Sequence, residues 1–84
     1  MRHLTASAFW KTYDNLPAEI QESAKKNFDL LKQNPNHPSI RFKKIKSFWS
    51  IRVSKGYRAL GLDKGEDIVW FWIGSHSDYD KLIK

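Results

Sequence analysis

Four side chains in the second half of the chain are of types that move protons or hold a phosphate: Arg52, Arg58, His76 and Tyr79. Arg52 and Ser50 alternate with Trp49, Ile51 and Val53. A period of two is that of a strand with one apolar and one polar face. Ser50 and Arg52 are therefore expected to point away from the core. Arg58 lies just past the next turn, on the neighbouring strand. His76 follows the apolar run Ile68–Ile73, and Tyr79 comes one helical turn later. The four are expected to converge at one edge of a sheet. Imidazole is the side chain whose ordinary pKa lets it give or take a proton near neutrality. Guanidinium matches phosphate oxygens with paired bonds and stabilises charge developing on them. Such a set suits RNA cleavage that needs neither metal nor other cofactor. The 2′-OH loses a proton, the 5′-oxygen gains one, and the phosphorane between them is stabilised. Use of the 2′-OH selects RNA over DNA. No carboxylate pair, Gly-rich phosphate loop or Ser nucleophile motif competes.

The charge distribution points the same way. Seven of the fifteen Lys and Arg residues fall in Ser39–Arg58, which contains no Asp or Glu. They are Arg41, Lys43, Lys44, Lys46, Arg52, Lys55 and Arg58. The rest of the chain carries eight basic and nine acidic residues, so the net +6 is +7 from this stretch less one. A charge this concentrated implies a polyanionic partner, nucleic acid first. Arg41, Lys43, Lys44, Lys46 and Lys55 are the candidates for salt-dependent, sequence-blind contact with an RNA backbone.

The bulk properties bound the remainder. Residues 1–84 are expected to form a single domain. A chain of this size buries only ~60–65% of its unfolded surface. Its four Trp, three Tyr and five Phe supply much burial per residue. There is no Cys, hence no disulfide or thiolate chemistry. Met1–Trp10 has no apolar run of signal-peptide length, and no segment approaches the ~20 apolar residues of a membrane span. A cytoplasmic location, away from membranes, is the expectation.

The first half predicts two helices. Thr5 or Ser7 caps a short one ending near Asp14. Pro17 opens the second, whose apolar stripe is Leu16, Ile20, Ala24, Phe28 and Leu31. Asn34-Pro35-Asn36-His37-Pro38 ends it. Period-two segments follow, from Ile40 to Lys43, Trp49 to Ser54 and Tyr57 to Leu62. Ile68–Ile73 is apolar on both sides, with Ile68, Trp70 and Trp72 on one and Val69, Phe71 and Ile73 on the other. A strand covered on both faces belongs inside a sheet, so Trp70 and Trp72, whose rings could otherwise suggest base stacking, read as core. Ser75–Ile83 reads as a short terminal helix, with Asp78 and Asp80 as dipole-favourable or ion-paired surface acids. The fold class is α+β: an N-terminal αα-hairpin on a small antiparallel sheet of three to four strands, with a short C-terminal helix.

The order of Leu16-Pro17, Asn34-Pro35, Phe48-Trp49-Ser50-Ile51-Arg52-Val53, Gly56-Tyr57-Arg58-Ala59-Leu60 and Ile73-Gly74-Ser75-His76-Ser77-Asp78-Tyr79 resembles the RelE/ParE superfamily of bacterial toxins. The resemblance covers almost the whole chain. It implies the toxin of a type II toxin–antitoxin pair, neutralised by a cognate acidic antitoxin that wraps around it. RelE-like members cleave mRNA in the ribosomal A site with strand cations and a residue after the last strand. On that pattern Arg52 and Arg58 match strand cations, His76 falls at the final Arg or His, and Tyr79 lies near an aromatic position. The implied activity is that of a ribosome-dependent mRNA interferase, with ribosome and mRNA as partners.

Departures from the pattern keep two alternatives open. Ser50 stands where RelE has a second Lys. His76 resembles YafQ-like members, whose further histidines this chain does not clearly supply; His37 lies in the loop before the strands. The first strand of the family is expected to be very short or lost, since only Arg2-His3-Leu4 precede the first helix. One alternative is a ParE-like inhibitor of DNA gyrase acting by protein–protein contact. The other is a catalytically weakened, toxin-like binding module.

Overall fold

Pro17 divides the first half of the chain into two helices. In the computed structural model, which describes residues 2–84, α1 spans Ser7–Asp14 and α2 spans Ala18–Gln33. Pro17 is the N-cap of α2, and its carbonyl accepts from Ile20 and Gln21 at 3.0 Å. Asn34 ends α2 in an extended conformation (φ −149°), as expected for a residue before proline. Ala6, with no side-chain cap, precedes α1 in place of the expected Thr5 or Ser7. The stripe predicted for α2 faces inward, with Ala24 and Leu31 buried and Phe28 packed against them.

The sheet contains β1 (Arg2–Thr5), β2 (Lys43–Ile45), β3 (Phe48–Ser54), β4 (Tyr57–Lys64) and β5 (Asp67–Ser75), in the order β1-β5-β4-β3-β2. Helix α3 (His76–Ile83) packs on β4 and β5. The hairpin helices cover one face, where Phe9, Tyr13, Ala24, Leu31, Ile51 and Trp70 share the core. β2 through β5 form the expected antiparallel meander. The strand count is five rather than three to four, because β1 forms after all, parallel to β5. Four residues suffice because both ends are tied. Arg2 grips Asp67 with two bonds of 2.9 and 2.8 Å, and the Ala6 amide donates to the Trp70 carbonyl at 2.9 Å.

Two local features escaped the period-two reading. The Ile40–Lys43 alternation does not form a strand, because Arg41 takes a left-handed conformation (φ 46°). Ile40 is nevertheless fully buried, and its carbonyl accepts from the Arg52 amide at 2.7 Å. The second feature is a register shift between β4 and β5 at Leu60/Gly61, where Leu60 pairs with Trp72 and Gly61 with Trp70. Phe71 is the extra residue. A bulge reverses the alternation beyond it, so Ile68, Trp70 and Ile73 face the helices and Trp72 faces away. Trp70 is core as expected; Trp72 is not.

Gly61 makes room for this arrangement. A Cβ there would lie 2.5 Å from Ile68 Cγ2 and 3.0 Å from the Trp70 ring. Trp70 in turn donates its Nε1–H to His3 Nδ1 at 3.2 Å. Burial, then the nearby Lys32 charge, lowers the His3 pKa below its ordinary value.

Two predictions follow from this packing. Gly61→Ala is expected to lower unfolding stability by about 1–3 kcal/mol in urea titration, the usual cost of overpacking. For His3, the unfolded chain takes up a proton near pH 6.5 that the native state resists. The stabilisation is therefore complete above about pH 6.5 and is lost as pH falls through the lowered value. The melting temperature should drop between about pH 7 and pH 5, and His3→Gln should flatten that dependence.

Candidate functional site

On the face away from the hairpin helices, Arg52 and Arg58 stand directly opposite one another across β3 and β4, and Gly74 of β5 completes the row. Like charges so placed destabilise a sheet. Among the described residues neither guanidinium has an acidic partner within salt-bridge distance. Arg58 is steadied instead by two carbonyls, donating through Nη1 to Tyr57 at 2.9 Å and Ser54 at 3.2 Å. Burial, and then the charge of Arg52, push its pKa below the usual guanidinium value, and Arg41 adds to this. Tyr79 and Asp80 act in the opposite sense. These four groups are the ones whose charge Arg58 feels.

Backbone irregularity sets this row. The β3–β4 register shifts between Arg52 and Ser54, which leaves strand carbonyls without ladder partners. Asn27 of α2 reaches across and donates to the carbonyls of Arg52 (3.0 Å) and Val53 (2.7 Å). The core helix thus fixes the strand segment that carries Arg52. The Ile40 contact to the Arg52 amide holds Arg41 alongside.

His76 begins α3 at the end of β5. Its amide donates to the Gly56 carbonyl at 2.8 Å, docking the helix start on the β3–β4 turn. Ser75 caps the helix by accepting from the Asp78 amide at 3.2 Å. His76 Nδ1 lies 3.1 Å from Asp80 Oδ2, one turn along. That contact orients the ring and leaves Nε2 as the nitrogen available to a ligand. The Tyr79 ring is 5.7 Å from the imidazole and is itself buried, so it packs α3 down as well as flanking the site. Arg52 and Arg58 thus form one pair across β3 and β4, His76 and Tyr79 another at the start of α3, and the pairing of Arg58 with Gly74 sets the two pairs on neighbouring strand ends. Asp80 was legible only as a surface acid; its spacing of four from His76 is the signal that pairs them on a helix.

The predicted RNA-binding cations divide. Arg41 joins the arginine row. Lys43 pairs in register with Ser50 on the same face. Lys55 lies in the β3–β4 turn on which His76 docks. Lys46 sits in the β2–β3 turn with φ 57°, at the far end of β3, ~20 Å away at strand rise. Lys44 projects to the other face, where it pairs with Asp63 and lies over the Trp49 ring. The Lys44 ammonium, followed by the Gly65 amide, holds Asp63 below the usual carboxylate range. The buried Nε1–H of Trp49 has no hydrogen-bond acceptor in good geometry, although Asp63 is near enough to feel its dipole. Ser50 points away from the helices as expected but is only 1% exposed, so it forms part of the floor of this face rather than its surface.

A separate cleft of about 510 Å³ opens on the helix side, lined by His3, Trp10, Phe28, Lys32 and Trp70 among others. Its one imidazole is engaged by Trp70. Lys25, Asp29 and Lys32 also line it, but no guanidinium does, and the arginine face is the better match to a phosphate.

Residues 18–81 match the model of the ParE-like toxin domain. The chain belongs to this family, and with it to the RelE/ParE superfamily of toxins of toxin–antitoxin systems. The fold agrees with solved members. The RelB–RelE antitoxin–toxin complex from Methanococcus jannaschii superposes with a TM-score of 0.69 at 22% identity, covering 96% of this chain and 99% of that one. YafQ from E. coli gives 0.73 at 11% identity, covering 94% and 98%. The YoeB/ParE toxin from Agrobacterium tumefaciens gives 0.67 at 16% identity, covering 90% and 99%. No curated protein matches by sequence.

Two substitutions test how the site is built. Arg52→Gln relieves the cross-strand repulsion and should raise stability by about 0.2–1 kcal/mol in urea titration. Asn27→Asp keeps the shape but cannot donate to the two carbonyls, and should lower stability by about 1–3 kcal/mol.

Proposed function

We propose that this toxin is a ribosome-dependent mRNA interferase that cleaves RNA with its own side chains and the substrate's 2′-OH. The observation that carries the reading is the Arg52–Arg58 pair, without carboxylate partners among the described residues, in one row with Gly74, two residues before the Asp80-oriented imidazole of His76. Arg58, with its Nη1 held by two carbonyls, presents its remaining donors to the scissile phosphate. Arg52 takes a second phosphate oxygen, so that negative charge building on the phosphorane meets two cations already in place. The substrate's charge also relieves the repulsion between them. His76 is the proton-transfer group, exchanging through Nε2 as general acid or base, and Asp80 is its positioning residue. Tyr79 borders the site from α3 and acts on the charge of Arg58.

Arg41, Lys43 and Lys55 extend this face as the approach surface for an RNA backbone. Lys44 and Lys46 stand apart from it and are better suited to outlying contacts. The solved RelB–RelE complex holds its toxin against an antitoxin. By analogy, a cognate acidic antitoxin would cover this basic face here. The protein would act in the cytoplasm, where ribosomes and mRNA are found.

His76→Ala is expected to slow ribosome-dependent mRNA cleavage about 10²–10⁴-fold, the usual share of general acid–base catalysis. Arg58→Ala should cost about 10²–10³-fold, as loss of one transition-state charge contact does. A ParE-like inhibition of DNA gyrase is the second reading, favoured by the description of the matching family. If both variants still arrest growth and chromosomal breaks accumulate, the gyrase reading replaces the nuclease one.

A further inference from the structure

The face that carries Arg52 and Arg58 also carries three aromatic rings that the chemistry above does not use. The bulge at Leu60/Gly61 places two successive residues, Phe71 and Trp72, on this face. The Phe71 ring lies 5.7 Å from that of Phe48 on β3. Trp72 is partly exposed, whereas Leu60 and Ser50, its row-mates across β4 and β3, are buried. Both hairpin helices pack on the opposite face, so the indole does not serve the helix-side core.

The lie of the indole is defined by Gly74. A Cβ built on Gly74 would fall 2.5 Å from Trp72 Cζ2 and 3.0 Å from Cη2. The six-membered ring therefore lies over the Gly74 backbone, along β5. Gly74 is the residue opposite Arg58 in the arginine row. A side chain at position 74 would lift the indole off the sheet. The row thus runs guanidinium, guanidinium, indole, and among the described residues no acid is paired to either cation.

We propose that Trp72 is a base-stacking platform that seats a nucleobase of single-stranded RNA beside the scissile phosphate, making it a specificity-determining residue of this site. The inference rests on the RNA reading above. A flat indole accepts any base by its π-face, and adjacent arginines take the phosphates on either side. Stacking holds the base against the sheet and leaves the ribose–phosphate chain over Arg52 and Arg58. Larger rings overlap the indole more, so purines are retained better than pyrimidines at this position. Gly74 acts as a positioning residue, through the indole alone.

The test uses the full chain and two probes at low salt. One is a short 2′-O-methylated oligoadenylate, which cannot be cleaved by 2′-OH attack. The other is the same ribose–phosphate chain without bases. Wild-type protein is expected to bind the first more tightly. Trp72→Leu should weaken that binding about 5- to 150-fold, the range for loss of one base stack, and leave abasic binding unchanged. Trp72→Phe, which keeps a flat ring, should restore most of the preference. Gly74→Ala should lose it with Trp72 still present. Equal losses on both probes, or no loss on either, overturn the stacking role but not the nuclease reading. Intact RNA binding by Trp72→Leu with a weakened antitoxin complex would assign the ring to the antitoxin instead and overturn the proposal. A wild-type chain that binds neither probe overturns the stacking platform, while the ribosome-dependent reading stands or falls on the cleavage test of His76→Ala and Arg58→Ala.

Discussion

The basic face of this molecule is built around two arginines that the sheet register holds face to face. Arg52 and Arg58 repel each other across β3 and β4, and Arg41 is held nearby. A fold of 84 residues has little stability to forgo. The repulsion persists because the backbone is fixed from the other side. Asn27 secures the irregular segment that follows Arg52, and Ile51, Val53 and Ala59 are locked in the helix-side core. The apolar layer thus holds a charge arrangement that the polar layer alone would not choose. Sites that keep such tension are usually those where a ligand relieves it. On the function proposed above, a polyanion would do so, whether an RNA phosphate or an acidic antitoxin segment.

The rest of the site is built outward from that row. Helix α3 starts at His76, docks on the β3–β4 turn through Gly56, and is held down by Tyr79. Its first turn and a half supplies both the imidazole and the carboxylate that orients it. The positions of the imidazole and the two guanidiniums are therefore coupled through one turn, Lys55-Gly56. The opposite face carries the burial: aromatic contacts from Phe9 through Phe28 to Trp70 join α1, α2 and β5.

Much of this was legible in the sequence, and the gaps have physical causes. The αα-hairpin followed by a meander, the setting of the Arg52–Arg58 and His76–Tyr79 pairs on neighbouring strand ends, and the core role of Trp70 all follow from periodicity and turn residues. Trp72 was misplaced because a bulge at Gly61 reverses the alternation, and a period-two pattern carries no mark of an inserted residue. The small residue that permits the bulge is the available hint. Arg41 and Lys46 adopt positive φ without being glycine, which hides two chain reversals. Lys44 was grouped with the RNA-binding lysines by composition, yet one residue of strand phase sends it to the other face and to Asp63. β1 was expected to be very short or lost; it is very short, and its stability comes from partners more than sixty positions away. No local pattern reports those.

On the proposed function, this basic face cleaves RNA by attack of the substrate's own 2′-OH. The chemistry of the new ends tests it most directly. mRNA recovered from programmed ribosomes after exposure to the protein should end in a 2′,3′-cyclic phosphate or the 3′-phosphate derived from it, with a 5′-hydroxyl on the downstream fragment. A single 2′-deoxy substitution at the scissile nucleotide should abolish the cut. Fragments ending in 3′-hydroxyl and 5′-phosphate, or cleavage that survives the deoxy substitution, would contradict the account.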